Sequence, residues 1–408
     1  MASLKDFAKM EVKAPSLRMP SAKMPSAKLR RGGGTHTRSK RSSGSSTVGL
    51  DIQPGYVAAV QARANGSVVV QRAVGLALPP ETVREGELLD ENLLTEALRE
   101  LFQDGKLPRR VRLGVANQRT VLRVLELPPI EDRKALDAAV RFQAQDHMPM
   151  PLANAVLDFQ PLGIVGTPAG PRQRVVVVAA QRDMVERLIK AVQAAGLRPA
   201  GVDLSAFAMI RALHQADAPN DRLDSNAGGV EEAPASSTLY LNVGGLTNLA
   251  IAEGLECRFT RMVSGGLESI ASELAARHSV ALPQARELMG ATDLSSEPTA
   301  VAETAVDPDV PVDYVGADVR AVLISGVREI AGEVRNSLDF HRSQGGGEVS
   351  SVVLSGPALE ISGFPQALEA ELGAPLSCRR VQTAADAESV PAERLTIAAG
   401  LAIEEVAA

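Results

Sequence analysis

The sequence has no tryptophan, three tyrosines and eight phenylalanines among its 408 residues. So few aromatics leave the core to Val, Leu, Ile and Ala. They also count against single-strand nucleic-acid binding, which needs aromatic stacking platforms. Only Cys257 and Cys378 carry thiols, at a spacing that matches no metal site. With no signal peptide at the start, a reducing cytoplasm is the expected compartment. The five histidines, His36, His147, His214, His278 and His341, are scattered without ligand spacing. No apolar run approaches the roughly 20 residues of a membrane span, so the chain is not expected to cross a bilayer. Ser264-Gly-Gly266 lacks the flanking glycine of a hydrolase nucleophile elbow. Nucleophilic and metal-ligand chemistry therefore find no support.

What is present is an ordinary globular composition, 45% hydrophobic and 23% charged, long enough for two or more domains. The net charge of −6 hides a segregation. Residues 1–46 hold 11 Lys/Arg against two acids, a net of +9, and the remainder holds 32 basic against 47 acidic residues, a net of −15. A basic tail on an acidic body points to an anionic partner for the tail. Within it, Met19-Pro-Ser-Ala-Lys23 is repeated as Met24-Pro-Ser-Ala-Lys28, and the recurring prolines forbid a helix. Gly32–Gly34 and the serines of 42–46 add linker character, so a disordered extension is expected. Residues 1–13 alone carry a helical pattern, with Lys5, Lys9 and Lys13 on one face and Leu4, Phe7 and Ala8 on another. Such a face suits an anionic membrane surface; a solvated leader with no specific role is the alternative.

From Thr47 onward one motif is used twice. Residues 47–55 and 239–247 are β-forming runs that end in a side-chain oxygen, Asp51 in one and Asn242 in the other. Each is followed by a glycine-bearing turn and a strand that folds back on itself, at Asn65-Gly66 (the signal of a type I′ turn) and at Glu253-Gly254. Duplicated halves commonly face each other across a ligand cleft. Acceptor oxygens and backbone N–H groups at tight turns suit Mg-bound phosphates. Asp51 is the candidate that organises a hydrated Mg²⁺; alone, it reads more readily as a strand-end Asp capping its own turn, and the second copy at Asn242 shifts the balance toward a phosphate pair. Asn242, Gly244, Gly245 and Thr247 form the second turn. Gly265-Gly266 before a helix supplies a third phosphate-compatible feature. Ser355-Gly356 at a strand end would suit a purine edge.

Between these turns, helices are expected at 88–102, 132–145, 182–195, 267–277, 283–289 and 318–342. Strands are expected at 111–117, 121–127, 156–162, 174–180 and 351–354. Residues 118–172 read as a small inserted α+β unit between first-lobe segments 47–117 and 173–214. Residues 215–237 read as a linker, and 238–405 as a second lobe with a polar insert at about 293–315.

The ordered series Gly49-Leu-Asp-Ile52, Leu125-Glu-Leu-Pro128, Ala144-Gln-Asp-His-Met-Pro149, Leu157-Asp-Phe-Gln160 and Asp203-Leu-Ser-Ala-Phe-Ala208 resembles the type IV pilus assembly PilM family. So do Asn242-Val-Gly244, Phe259-Thr-Arg261, Gly265-Gly266, Glu333-Val-Arg335 and Leu354-Ser-Gly356, and the likeness spans about residues 47–405. The resemblance implies an α/β fold of the actin-like (RNase H-like) superfamily, two duplicated lobes with an inserted SHS2-like subdomain at 118–172. It implies ATP with Mg²⁺ as cofactor, held at Asp51, Asn242, Gly244, Gly245, Thr247, Gly265, Gly266 and Gly356. Gln53 stands where the family's first phosphate turn usually has glycine, and Pro357 replaces a second glycine of the adenosine turn. Both departures weigh against hydrolysis. The implied setting is the cytoplasmic side of the inner membrane, as a peripheral component beside other pilus platform proteins and motor ATPases. The implied partner is the cytoplasmic N-terminal peptide of a PilN-like protein, in a groove near residues 121–127 and 132–145. An FtsA-like filament former in cell division, and an ATPase or sugar-kinase-like phosphotransferase, are the other readings. The C-terminus at 401–408 lacks the basic amphipathic helix usual in the division branch.

Overall fold

A computed structural model describes residues 47–168, 170–214, 237–263, 265–295 and 314–403. The basic extension 1–46, nearly all of the expected linker 215–237 and most of the polar insert 293–315 lie outside the described residues.

The chain opens with a meander: β1 (Val48–Gln53), β2 (Tyr56–Asn65) and β3 (Ser67–Ala77). Asn65 pairs with Ser67 around Gly66, which alone of the two turn residues has a positive φ, 78°. The expected type I′ turn needs positive φ at both positions, so the connection is tighter than Asn65-Gly66 implied. Short strands β4 (Val83–Arg84) and β5 (Glu87–Leu88) then precede α1 (Glu91–Leu101). The helix starts three residues later than its leucine pattern suggests. Asp90 sets that boundary, because its carboxylate accepts from the backbone N–H groups of Asn92 and Leu93. Leu89 consequently falls outside the buried stripe and is exposed.

Strand β6 (Arg110–Val115) joins β1 in parallel. Next come β7 (Thr120–Leu127), α2 (Arg133–His147), β8 (Ala155–Thr167) and β9 (Gly170–Gln181). These make a three-stranded antiparallel sheet of order β7-β9-β8 with α2 packed on it through Leu136, Val140 and Ala144. The inserted unit therefore runs on to Gln181. Its expected end at 172 cut off β9, whose run Val175–Ala180 reads like a first-lobe strand because it is apolar on both faces. Val175, Val177 and Ala179 pack under α2, whereas Val176 enters the core of the first lobe.

The first lobe resumes with α3 (Arg182–Ala194), β10 (Arg198–Leu204) and α4 (Ser205–Leu213). The second half repeats the opening with β11 (Ser237–Val243), β12 (Thr247–Glu253) and β13 (Glu256–Val263). Helices α5 (Leu267–His278), α6 (Leu282–Ala291) and the long α7 (Tyr314–Ser343) follow. The chain continues through β14 (Val349–Ser355), α8 (Phe364–Leu372), β15 (Leu376–Cys378), β16 (Gln382–Thr383) and α9 (Thr396–Ala402).

Two large sheets result, of order β10-β6-β1-β2-β3-β16 and β13-β12-β11-β14-β15. With β16 set aside, both read third-second-first-fourth-fifth in chain order. The duplication seen at Asp51 and Asn242 thus extends to both whole sheets. The second lobe's core lies between its sheet and α5, α7 and α8. The first lobe's core is shared, since α4 residues Ala206, Ala208 and Met209 pack in one cluster with Tyr240, Ala250 and Ala252 of the second sheet. Helix α9, all seven of whose residues are buried, packs on the first sheet beside α4, with Arg211 of α4 donating to Gly400 O.

Candidate functional site

The ends of β1 and β11 meet where the lobes face each other. Asp51 is 5% exposed on β1, its backbone paired with Ala58 of β2. Its carboxylate accepts a 2.6 Å hydrogen bond from Gln53 Nε2. Burial pushes its pKa up to about 7, and the Gln53 bond only partly offsets this. The unfolded carboxyl titrates near 3.9. The native state thus holds the proton more tightly, and this contribution to stability declines as pH rises from about 4 to about 7. Asp51→Asn should remove that slope and make the protein more stable than its parent at pH 8, by about 4 kcal/mol. Urea unfolding at pH 5 and pH 8 checks it; equal pH dependence in both chains would contradict a neutralised Asp51.

On the second lobe, Asn242 Nδ2 donates to Ser355 Oγ at 3.1 Å, and that hydroxyl donates to Leu241 O at 3.1 Å. Asn242 Oδ1 and Thr247 Oγ1 are buried without a partner. Strands β11 and β12 bring both residues beside the turn, Thr247 on the sheet face that packs into the second lobe's core with Leu249, and Asn242 on the opposite face with Tyr240. Gly244 N–H donates to Leu246 O at 2.9 Å, and Gly244 O accepts from Leu267 N–H, the first amide of α5, at 2.7 Å. Gly266 N–H is taken by Ser269 Oγ at 3.0 Å.

The turns are packed backbone on backbone. A Cβ on Gly266 would lie 2.6 Å from Gly245 O, and one on Gly245 would lie 2.5 Å from Pro54 O of the first lobe. A Cβ on Gly244 would lie 2.6 Å from Gln53 Oε1 and 3.3 Å from Pro357 Cδ. Gly356, at φ +98°, passes as closely over Val243. Asp51, Gln53, Gly244, Gly245, Gly265, Gly266 and Gly356 are therefore brought together from four separate stretches of chain.

As the residues stand, they do not fit a nucleotide triphosphate. The amides of Gly244, Gly266 and Leu267 that would cradle phosphate are spent within the protein, and the Gln53 side chain fills the gap between Asp51 and Gly244. Sequence reasoning flagged Gln53 as crowding but gave no partner for it. It missed the Glu268–Arg286 pair altogether. Arg286 Nε and Nη2 grip the two Glu268 carboxylate oxygens at 3.1 and 2.6 Å directly beneath Gly55. That clamp ties α5 and α6 to the first lobe's turn, and nothing in the spacing of two exposed-looking helix positions signals it.

The other expected contact region was the groove beside residues 121–127 and 132–145. Strand β7 pairs only with β9, so its other edge has no strand partner among the described residues. Its side chains alternate: Val121 and Leu125 face α2, while Leu122 packs into the first lobe's core and half-buried Val124 shares its side. Near Thr120 a cavity of about 20 Å³ opens between β6, β7, α4 and β13, lined by Asn117, Asn248, Thr260 and Met262.

The family model described as type IV pilus assembly protein PilM matches residues 49–280, more than half of the chain. Among solved structures, the chain is similar to one described as a PilM-PilN type IV pilus biogenesis complex. That match has 22% identity and a TM-score of 0.65, covering 88% of this chain and 97% of the other. The chain is also similar to the ethanolamine utilization protein EutJ from Carboxydothermus hydrogenoformans, at 14% identity and a TM-score of 0.47, over 87% of this chain and 88% of that one. A third likeness is to the activator of 2-hydroxyisocaproyl-CoA dehydratase from Clostridium difficile with bound ADPNP. It has 10% identity and a TM-score of 0.39, over 88% and 92% of the respective chains. The first of these establishes the two-lobed actin-like fold.

Proposed function

The chain belongs to the type IV pilus assembly protein PilM family, and from that premise we propose that it serves pilus assembly as a peptide-binding scaffold. Its ligand is the cytoplasmic N-terminal peptide of a PilN-like membrane protein. The observation that carries this reading is the unpartnered edge of β7, at the junction of the inserted unit with both lobes. An extended peptide docking along such an edge gains main-chain hydrogen bonds, and alternate side chains find apolar contacts at Leu122 and Val124. The likeness to a PilM-PilN complex supports the choice of partner. A division role is not favoured by the family match.

Calorimetry with a synthetic peptide corresponding to a PilN-like cytoplasmic N-terminus tests the reading. Val124→Glu should weaken binding by at least about tenfold, because it places a charge in the apolar edge contact, while leaving the melting temperature within a few degrees. Unchanged affinity would move the peptide site away from β7.

Nucleotide enters this proposal as a conformational ligand. ATP with Mg²⁺ would be admitted only after Gln53 leaves Asp51 and the lobes part at Gly244–Gly245, and that parting would reshape the β7 edge. Localisation follows the partner: the chain sits peripherally at the cytoplasmic face of the inner membrane, with other platform proteins and motor ATPases within reach. Among the described residues no helix is long and apolar enough to cross a membrane. The leader's net charge of +9 supplies attraction to anionic headgroups.

A further inference from the structure

One end of the first lobe carries a charge opposite to that of the body. Strand β1 runs parallel to β6, with Val48 beside Val111, and β6 runs parallel to β10, with Arg110 beside Arg198. Their starts therefore lie together at the end of the sheet farthest from Gln53. The β2–β3 turn at Gly66 reaches the same end, and so does β16, since Gln382 pairs with Val69. Arg63, Arg109, Arg110 and Arg198 are all exposed there. Among the described residues none of the four has a carboxylate partner; Arg109 only reaches a backbone carbonyl, Gly196 O, at 3.5 Å. Among the described residues, Asp104 is engaged by Lys106 at 3.1 Å and Glu393 by Arg380 at 2.8 Å. From Thr47 to the C-terminus the net charge is −15, so a cluster of unpaired arginines at one end is a segregation, not the average surface.

The basic extension is joined to the body at this same end, because residue 46 precedes Thr47 at the start of β1. The point where the extension is attached, a segment whose sequence carries +9, therefore lies beside four guanidiniums that have no carboxylate partner among the described residues. The acidic remainder would be repelled by an anionic plane, which fixes the orientation: this end toward the plane, the lobe cleft away from it.

We infer that the β-strand-start end of the first lobe, marked by Arg63, Arg109, Arg110 and Arg198, is a contact surface for an anionic lipid bilayer. The inference extends the peripheral placement proposed above from the extension to the folded body, and it is independent of the peptide site. A bilayer is favoured over nucleic acid because the arginines sit around strand ends rather than along a groove, with no exposed aromatic ring among them to stack on bases.

Flotation of the full chain with vesicles of phosphatidylglycerol and phosphatidylcholine, against phosphatidylcholine alone, provides the test. The full chain should bind the anionic vesicles only. Combined R109E, R110E and R198E should lower the binding by about tenfold or more, and replacing the same residues by lysine should restore most of it. Circular dichroism and the affinity for the PilN-like peptide should be unchanged in both variants, which separates a lost surface from a lost fold. Deleting residues 1–46 should weaken binding without abolishing it. If charge reversal leaves vesicle binding intact while the deletion abolishes it, the folded face is not a membrane contact, although the peripheral placement stands. If the full chain ignores anionic vesicles, both ideas fall. Tighter binding to duplex DNA than to vesicles would reassign the surface and overturn the inference.

Discussion

Replacing Gln53 with glycine is expected to raise the affinity for Mg-ATP by at least about tenfold over the parent chain, a gain of about 1.4 kcal/mol. The Gln53 amide has two jobs in the closed arrangement. Its nitrogen satisfies Asp51, and its oxygen lies against the Cα of Gly244 on the opposite lobe. A phosphate at this point would need both the volume of the amide and the acceptor it covers. Glycine removes the side chain and lets backbone approach phosphate closely. It also lets water take over from the Gln53 hydrogen bond as the partner of Asp51, whose ionised carboxylate would hold Mg²⁺ through water. Calorimetry with both chains, and with Gln53→Ala as an intermediate, reads the effect. An affinity for Gln53→Gly equal to the parent's would mean that the glutamine is not the obstruction, leaving Pro357 and the spent amides of Gly244 and Leu267 to account for the poor fit.

The largest expected loss of stability lies at α9, which packs on the face of β1 that also carries Asp51 and Gln53. Helix α9 crosses the sheet so closely that a methyl group on Gly49 would overlap Ala398 O and come within 2.7 Å of Ala402 N. A methyl on Gly400 would overlap Ala208 O of α4. The obstructing atoms are backbone, fixed by helix hydrogen bonds, so no rotamer change relieves them. Gly400→Ala should therefore cost about 3 kcal/mol or more, at the upper end of ordinary overpacking, despite the better helix propensity of alanine. Urea denaturation measures the loss. A cost below 1 kcal/mol would mean that α9 slides away from α4 freely and that its burial is not tight packing.

How much of this was legible in the sequence depends on the range of the contacts involved. The duplicated halves could be read because each strand–turn–hairpin is local: apolar runs, a terminal oxygen and glycines within about ten residues of one another. Helix α3 and its stop at Gly196 could be read for the same reason, and Gly196 does adopt a positive φ of 80°. The end of the inserted unit could not. Val175–Ala180 is apolar on both faces because two different cores claim its two sides, and alternation, which would have marked it as one strand of a small sheet, is absent. At the candidate site, residue types could be read but their occupancy could not. Gln53 was recognisable as too large for its turn, yet its engagement with Asp51 and Gly244 depends on a lobe closure between residues nearly 200 positions apart. The Glu268–Arg286 clamp beneath Gly55 is tertiary in the same way.

The seam between the inserted unit and the first lobe has a mechanical consequence. Strand β9 is the central strand of its sheet; it ends at Gln181, and α3 begins at Arg182 with no intervening loop. Arg182 Nη2 also holds Ala155 O at the start of β8, 2.8 Å away. Were the proposed peptide to lie along the inserted sheet, a tug on it would be delivered to the end of α3 without slack. From there it passes to α1 through Thr95 Oγ1, bonded to Ala191 O at 3.3 Å. A filament machine that loads its parts repeatedly would find in this seam a stiff lever rather than a hinge.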